Sequence, residues 1–325
     1  MGTQESGIGV THTFLAHHSG TSLAECVRPF IREGLDASQP VHVNAARHHL
    51  ANLRAALGED GGKVTWTDTD EWVPHPGRRL RAIEDLLEQE AARGRRLRFV
   101  GSCAWPVGPE ALVREWERFD VALGELLEQY EASMVCLYDA DALPADVIDR
   151  ARHFHPEHGL RPARPNPGFG APRATLRDEQ HRLALPGDAV CLSGRVTPGT
   201  ARRFLHDLFA SEQLEHERVE ELTVIASELV TNSVQAGAET ITIAWWEDED
   251  GCALQVDDDG YGFDEPLAGY RRPAADADNG RGVWIARQLA DVVELARRDP
   301  GTSVRVHVYD ADRIVRASQH GTPTR

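Results

Sequence analysis

Ser227-Glu228-Leu229-Val230-Thr231-Asn232-Ser233-Val234-Gln235-Ala236-Gly237 decides how the second half of this chain is read. It continues a helical pattern that starts at His216, with Leu222, Ile225 and Leu229 supplying an apolar stripe at three- and four-residue steps. Glu228 and Asn232 are four apart, so they project from another face, one turn above the other. A carboxylate beside an amide oxygen suits a magnesium–phosphate site. The amide ligates a hard cation without adding charge, and the acid can orient or deprotonate a hydroxyl. Taken alone, such a pair is more often a solvated helix face.

Three further motifs follow it in order. Val256-Asp257-Asp258-Asp259-Gly260-Tyr261-Gly262-Phe263 places Asp-x-Gly-x-Gly at a strand end, where two glycines permit a tight turn and close approach of backbone to a ligand. A buried aspartate there could accept a hydrogen bond from an adenine amine; by itself the motif also reads as a solvated acidic turn. Asn279-Gly280-Arg281-Gly282-Val283-Trp284-Ile285 opens a helix with Gly-x-Gly, leaving N-terminal amides to receive phosphate. Gly301-Thr302 precedes the last apolar run.

Working outward, helices are predicted over Pro198–Phe209, His216–Ala236 and Gly282–Ala290, and strands over Thr240–Trp246, Cys252–Val256, Val292–Ala296 and Ser303–Tyr309. Helices layered on one face of an antiparallel sheet make an α+β sandwich over residues 183–312, followed by a polar tail at 313–325. Residues 159–172 hold four prolines and three glycines, and 161–182 read as a linker. Before it, apolar β-rich runs at Thr11–Ala16, Val41–Asn44, Lys63–Thr67, Leu97–Gly101 and Met134–Tyr138 alternate with helical stretches at Leu23–Gly34, Ala46–Leu57, Arg78–Arg93, Glu110–Tyr130 and Ala145–Phe154. That alternation predicts βαβ units and a mostly parallel sheet over residues 10–160.

Composition removes several classes of function. Lys63 is the only lysine among 35 basic residues, and its setting, Gly61-Gly62-Lys63-Val64, lacks the Ser or Thr and the upstream glycine of a phosphate-binding loop. The net charge of −17 argues against nucleic acid as a direct partner. Five scattered cysteines without a Cys-x-x-Cys indicate neither a disulfide framework nor a zinc ribbon. The N-terminus lacks a signal pattern and no run approaches the ~18 apolar residues of a spanning helix, so a soluble, cytoplasmic protein without membrane contact is expected.

In order and spacing, the four motifs resemble the nucleotide-site boxes of the GHKL ATPases (HATPase_c, the Bergerat fold), the group that includes gyrase, MutL and histidine kinases. Within that group they are most similar to the bacterial anti-sigma regulatory factors, which are serine-protein kinases. Leu185-Pro186-Gly187 and the paired Arg202 and Arg203 also fit these. The resemblance implies ATP and Mg2+ as cofactors, with Asn232 ligating magnesium and Glu228 as general base toward a serine or a water. It implies that Asp258 binds the adenine amine in a pocket shaped by Gly260 and Gly262. Gly280 and Gly282 would flank a mobile lid over the phosphates, and Thr302 would close the adenine side. One departure is Ala236, where many relatives carry a histidine near the phosphates, which bears on transfer rate more than on nucleotide binding.

The first domain resembles the MEDS (DcmR-like) sensory domain through His12, Pro29-Phe30-Ile31-Arg32-Glu33-Gly34-Leu35, Arg98-Phe99-Val100-Gly101, Val135-Cys136-Leu137-Tyr138-Asp139 and His155-Pro156. The likeness implies a RecA-like sheet without a phosphate loop and a small hydrocarbon-like ligand. Cys136 reads mainly as a small core hydrophobe, with a ligand or redox site as the alternative. His153, His155 and His158, two and three apart without a partner pair, are expected on the surface rather than on a metal.

Together the resemblances imply an anti-sigma factor that binds a sigma factor and phosphorylates a serine on a STAS-type anti-anti-sigma protein under control of the sensory domain, as in stress-response signalling. Relatives of the kinase domain are often dimers. Two alternatives stand: a non-catalytic, nucleotide- or ligand-dependent partner-switching module, and a sensor histidine kinase. The latter rests only on His206-Asp207, without a heptad seam around it.

Overall fold

The apolar runs of the first half become the strands of a parallel sheet. The computed structural model describes residues 11–18, 23–69, 75–102, 109–160, 163–170, 172–178, 183–210, 214–262, 265–274 and 280–310. By packing these fall into two units: residues up to 172 except 75–78 and 106–119, and those two segments together with residues from 173 onward.

The first unit contains β1 (Thr11–His17), α1 (Leu23–Asp36), β2 (Val41–Ala45), α2 (Arg47–Leu57), β3 (Thr65–Asp68), β4 (Arg98–Ser102), β5 (Ser133–Asp139) and α5 (Ala145–His153), with α3 (Pro76–Ala91) and α4 (Glu110–Gln129) running through it. Two short strands, β6 (Glu157–His158) and β7 (Arg164–Pro165), complete a sheet of order β3-β2-β4-β5-β1-β6-β7. Every pairing is parallel except β6 with β7, so the mostly parallel α/β sheet is observed. The period of two explains its burial. Val135 and Leu137 of β5 join Leu15, Val43 and Val100 against Val27, Ile31 and Leu53 of α1 and α2. Met134, Cys136 and Tyr138 point to the opposite face and are also buried. Burial on both faces is what makes these strands read as continuous apolar runs.

The second unit contains α6 (Pro172–Asp178), β8 (Val190–Gly194), α7 (Pro198–Phe209), α8 (His216–Gln235), β9 (Ile241–Glu247), β10 (Gly251–Asp258), α9 (Arg281–Leu289), β11 (Val292–Arg297) and β12 (Thr302–Tyr309). Its sheet has the order β11-β12-β10-β9-β8 and is antiparallel throughout. One face presents Ile241, Ile243, Trp245, Cys252, Leu254, Val256, Val304, Val306 and Val308 to the helices, which contribute Leu205, Leu222, Ile225, Leu229 and Ala286. This is the expected α+β sandwich. Thr197 caps α7 through its side chain to the Thr200 amide, with Pro198 at the first helical position.

Four short elements, β6, β7, α6 and β8, were not predicted. β8 is a short, half-exposed edge strand, and its pattern is too brief to stand out. Within the stretch read as a linker, Arg164–Pro165 pairs with β6, where proline is tolerated at an edge, and Pro172 starts α6, which buries Leu176. The tail at 313–325 lies outside the described residues. Among the described residues no helix is long and apolar enough to cross a membrane.

The other face of this sheet is also buried, with an apolar patch of Ala244, Trp246 and Ala253 beside the polar Gln255, Glu294, Ser303 and His307. Glu294 of β11 accepts a hydrogen bond from His307 Nε2 at 2.9 Å. Burial alone would raise its pKa, but it is outweighed by the His307 hydrogen bond and the charges of His307, Arg305 and Arg114, which bring the carboxyl down from 4.5 to about 2. A depressed carboxyl contributes stability that is present above its unfolded value and lost as pH falls toward the folded one. The second unit is therefore expected to lose about 2 kcal/mol more than its Glu294→Gln variant between about pH 5 and pH 3. Denaturant unfolding of both proteins at the two pH values measures the difference, and parallel losses would remove Glu294 as the cause.

Candidate nucleotide site

α8 sets the geometry of the site. Leu222, Ile225, Ala226, Leu229, Val230 and Ser233 are buried against the sheet, which leaves Glu228 and Asn232 half-buried on an adjoining face. Asn232 meets the start of α9. A Cβ on Gly282 would lie 2.5 Å from Asn232 Nδ2, so only glycine leaves the amide its position. Gly280 caps α9 in the left-handed region at φ 92° and has no side chain to bond the first amides of that helix. Helix N-termini of this kind attract anions.

Asp258, at the end of β10, gathers the other motif residues. Its Oδ2 accepts from the Ser233 hydroxyl at 2.9 Å, and its Oδ1 accepts from the backbone N–H groups of Gly260 at 3.0 Å and Thr302 at 3.3 Å. A carboxylate has roughly four acceptor positions, so these three donors leave room for about one more. Gly260 and Gly262 allow close packing: a Cβ would sit 2.8 Å from the Ala236 carbonyl oxygen in the first case and 2.6 Å from that of Gly301 in the second.

A cavity of about 760 Å³ opens between these elements, within the size range of small-molecule sites. Asn232, Ala236, Tyr261, Gly280 and Val283 line it, together with Arg173, Arg271 and Arg272. Arg271, Arg272 and a helix N-terminus put positive charge on this cavity in a lysine-poor chain, as a polyphosphate needs, while the charge of Arg173 is met within it. Glu265 also lines the cavity and pairs with Arg173 at 2.7 Å. The 265–270 segment is tied to α9 by Arg287, which donates to the Ala268 carbonyl at 2.7 Å and stacks over the Tyr270 ring.

The structure thus brings Asn232 and Gly282 together and places Gly280 on the same cavity. It gathers Asp258, Gly260 and Thr302 around one carboxylate. Asp258 lies on a second cavity of about 550 Å³, with Thr240, Thr242 and Arg298, rather than on the first. Glu228 stands one turn before Asn232, outside the lining of either cavity. Phe263 and residues 275–279, which include Asn279, lie outside the described residues. Sequence reasoning missed Arg173, Arg271 and Arg272. The Arg271-Arg272 pair was the available signal, whereas Arg173 sits in a stretch that reads as linker.

Residues 11–156 match the MEDS family, the MEthanogen/methylotroph, DcmR Sensory domain, and residues 196–308 match the histidine kinase-like ATPase domain. No curated protein matches the chain. Among solved structures it is similar to a chain of the SiaB-SiaC complex from Pseudomonas aeruginosa, at 14% identity and a TM-score of 0.30 over 36% of this chain and 87% of that one. It is also similar to the ATPase domain of G40P, at 8% identity and a TM-score of 0.34 over 46% of this chain and 69% of that one. On the two family matches, the chain carries a MEDS domain followed by a histidine kinase-like ATPase domain of the GHKL type.

Proposed function

We propose that this chain is an ATP-dependent partner-switching regulator: an anti-sigma factor whose second domain phosphorylates a serine on a STAS-type antagonist, and whose MEDS domain controls it. The observation that carries the reading is the convergence of Asn232, Gly280 and three arginines on one cavity, with Gly282 against Asn232 and the hydrogen-bonded Asp258 on the second cavity. A nucleotide fits that donor set. Asp258 has an acceptor position for an exocyclic amine, and the α9 amides with Arg271 and Arg272 suit phosphates. Asn232 and the phosphate oxygens would hold Mg2+, which when bound supplies charge neutralisation at the phosphates.

Glu228, on the half-exposed face outside the cavity, is positioned to meet a hydroxyl arriving from a protein partner. It takes the serine proton as the serine oxygen bonds to the γ-phosphorus and the bond to the β-phosphate oxygen breaks, giving phosphoserine and ADP. The acidic chain fits control of transcription through a sigma factor without contact with DNA.

Gly282→Ala is expected to weaken ATP binding in magnesium by about tenfold, because the added methyl displaces Asn232 while alanine suits the helix. Titration calorimetry checks this, and unchanged affinity would remove Gly282 as the residue that makes room for Asn232.

Ala236 favours a second reading. It lines the cavity where relatives carry a histidine, so the domain could bind nucleotide and switch partners without transferring phosphate. The two separate on one experiment: the full chain is incubated with γ-labelled ATP and the STAS-type protein that co-purifies with it from the native host. Acid-stable label on that protein supports the kinase. ATP binding without label on the partner supports the non-catalytic switch, and acid-labile label on this chain itself would overturn both in favour of a histidine kinase.

A further inference from the structure

The MEDS domain holds a second constellation that the nucleotide site does not use. On the face of the parallel sheet opposite α1 and α2, His12 of β1 and Cys136 of β5 lie side by side, with His12 Nε2 3.5 Å from Cys136 Sγ. Asp120 of α4 and His155, two residues beyond α5, close over them. One donor atom from each of the four residues lies within 4.8 Å of all the others. All four are buried, and Cys136, Asp120 and His155 have no exposed surface. The expectation that His155 is a surface residue fails, because it follows α5 down onto the sheet.

The polar groups here are arranged as ligands are. The Ala151 carbonyl lies 2.8 Å from His155 Nδ1, so that nitrogen carries the proton and Nε2 presents a lone pair. Among the described residues no hydrogen-bond partner reaches His155 Nε2, although it is fully buried and its ring lies 4.1 Å from that of His12. Such a group requires an explanation. Tyr138 donates to Asp120 Oδ2 at 2.8 Å, orienting the carboxylate as the outer partner of a ligand would. Phe14 stacks on Tyr138 at 4.7 Å between ring centres and helps to wall the site off from water.

We propose that His12, Asp120, Cys136 and His155 form a buried site for one zinc-like divalent cation. The donor set of two imidazoles, a thiolate and a carboxylate suits a tetrahedral, borderline-soft metal. Charge agrees with burial: a dication with one thiolate and one carboxylate is neutral, which an apolar interior tolerates. Burial favours the neutral imidazole, the form that binds a metal. Burial and the neighbouring His155 hold His12 well below its usual range, and burial brings His155 down to about 4 against the Ala151 hydrogen bond. Binding forms four metal–ligand bonds and releases the Cys136 thiol proton to solvent. Closure to ligand distances of about 2.0–2.3 Å would tie β1, α4, β5 and the end of α5 to one point.

Cobalt(II) titration of the full chain, prepared without chelator, tests this. One equivalent is expected to give a thiolate-to-cobalt charge-transfer band with tetrahedral d–d bands, both erased by one equivalent of Zn2+. The band should vanish in Cys136→Ser and survive in a variant with Cys26, Cys103 and Cys191 replaced by serine and Cys252 by alanine, which leaves Cys136 the only thiol, so a folding failure of the first variant leaves the second decisive. His155→Gln should weaken cobalt binding by at least about tenfold. No band in the wild-type chain, a band retained in Cys136→Ser, or its loss in the variant that keeps only Cys136 would overturn the site.

Discussion

Replacing Glu228 by glutamine is expected to lower phosphotransfer to the antagonist by about 10²–10⁴-fold while leaving ATP affinity within about a factor of two. The two effects separate because of where α8 puts the residue. Asn232 faces the cavity and the start of α9, and Glu228 stands one turn away, outside the lining. Glutamine keeps the size of the side chain and its helix propensity but cannot accept the serine proton at neutral pH. Loss of the base should therefore appear in turnover and not in binding. Single-turnover transfer at saturating ATP, compared with calorimetric affinity, makes the distinction. A large fall in affinity would assign Glu228 to nucleotide binding, and wild-type transfer would remove it as the base.

Asp258→Asn is expected to weaken ATP binding by about 10–100-fold with a stability change of about 1 kcal/mol or less. The carboxylate accepts from Ser233, Gly260 and Thr302. Asparagine keeps one oxygen for the two backbone amides and offers an NH2 to the Ser233 hydroxyl, which can accept as well as donate. The local fold is thus preserved, and what disappears is the negative charge and the further acceptor position that would meet an adenine amine. Calorimetry with ATP and thermal unfolding together check the claim. Affinity unchanged in a stable variant would place the base elsewhere.

Local pattern carried most of the fold. Val135 and Leu137 alternate with Met134, Cys136 and Tyr138, and Leu222, Ile225 and Leu229 recur at helical steps, so strands and helices fall within one or two residues of expectation. The elements that were missed are those whose local signal opposes their structure. Pro165 lies in an edge strand, Pro172 opens a helix, and β8 is too short for its alternation to register.

The glycine motifs stand out in the sequence as short local patterns, although the structure sets them against distant residues: Gly282 against Asn232, Gly260 against Ala236 and Gly262 against Gly301. Arg173 reaches the cavity from a segment that reads as linker. The His12–Asp120–Cys136–His155 cluster was invisible for a related reason: its members come from four elements, and Asp120 is one of many acids on an amphipathic helix. Side chains that converge only through tertiary packing leave no spacing to read.

The central claim is that the second domain binds ATP with magnesium through Asn232 and its neighbours. Calorimetric titration of the full chain with a non-hydrolysable ATP analogue, in magnesium and in chelator, tests it most directly. The account predicts one site per chain in magnesium, greatly weakened in chelator and lost in Asn232→Ala. Absence of saturable binding to the wild-type chain, or equal binding by the Asn232→Ala variant, would contradict it.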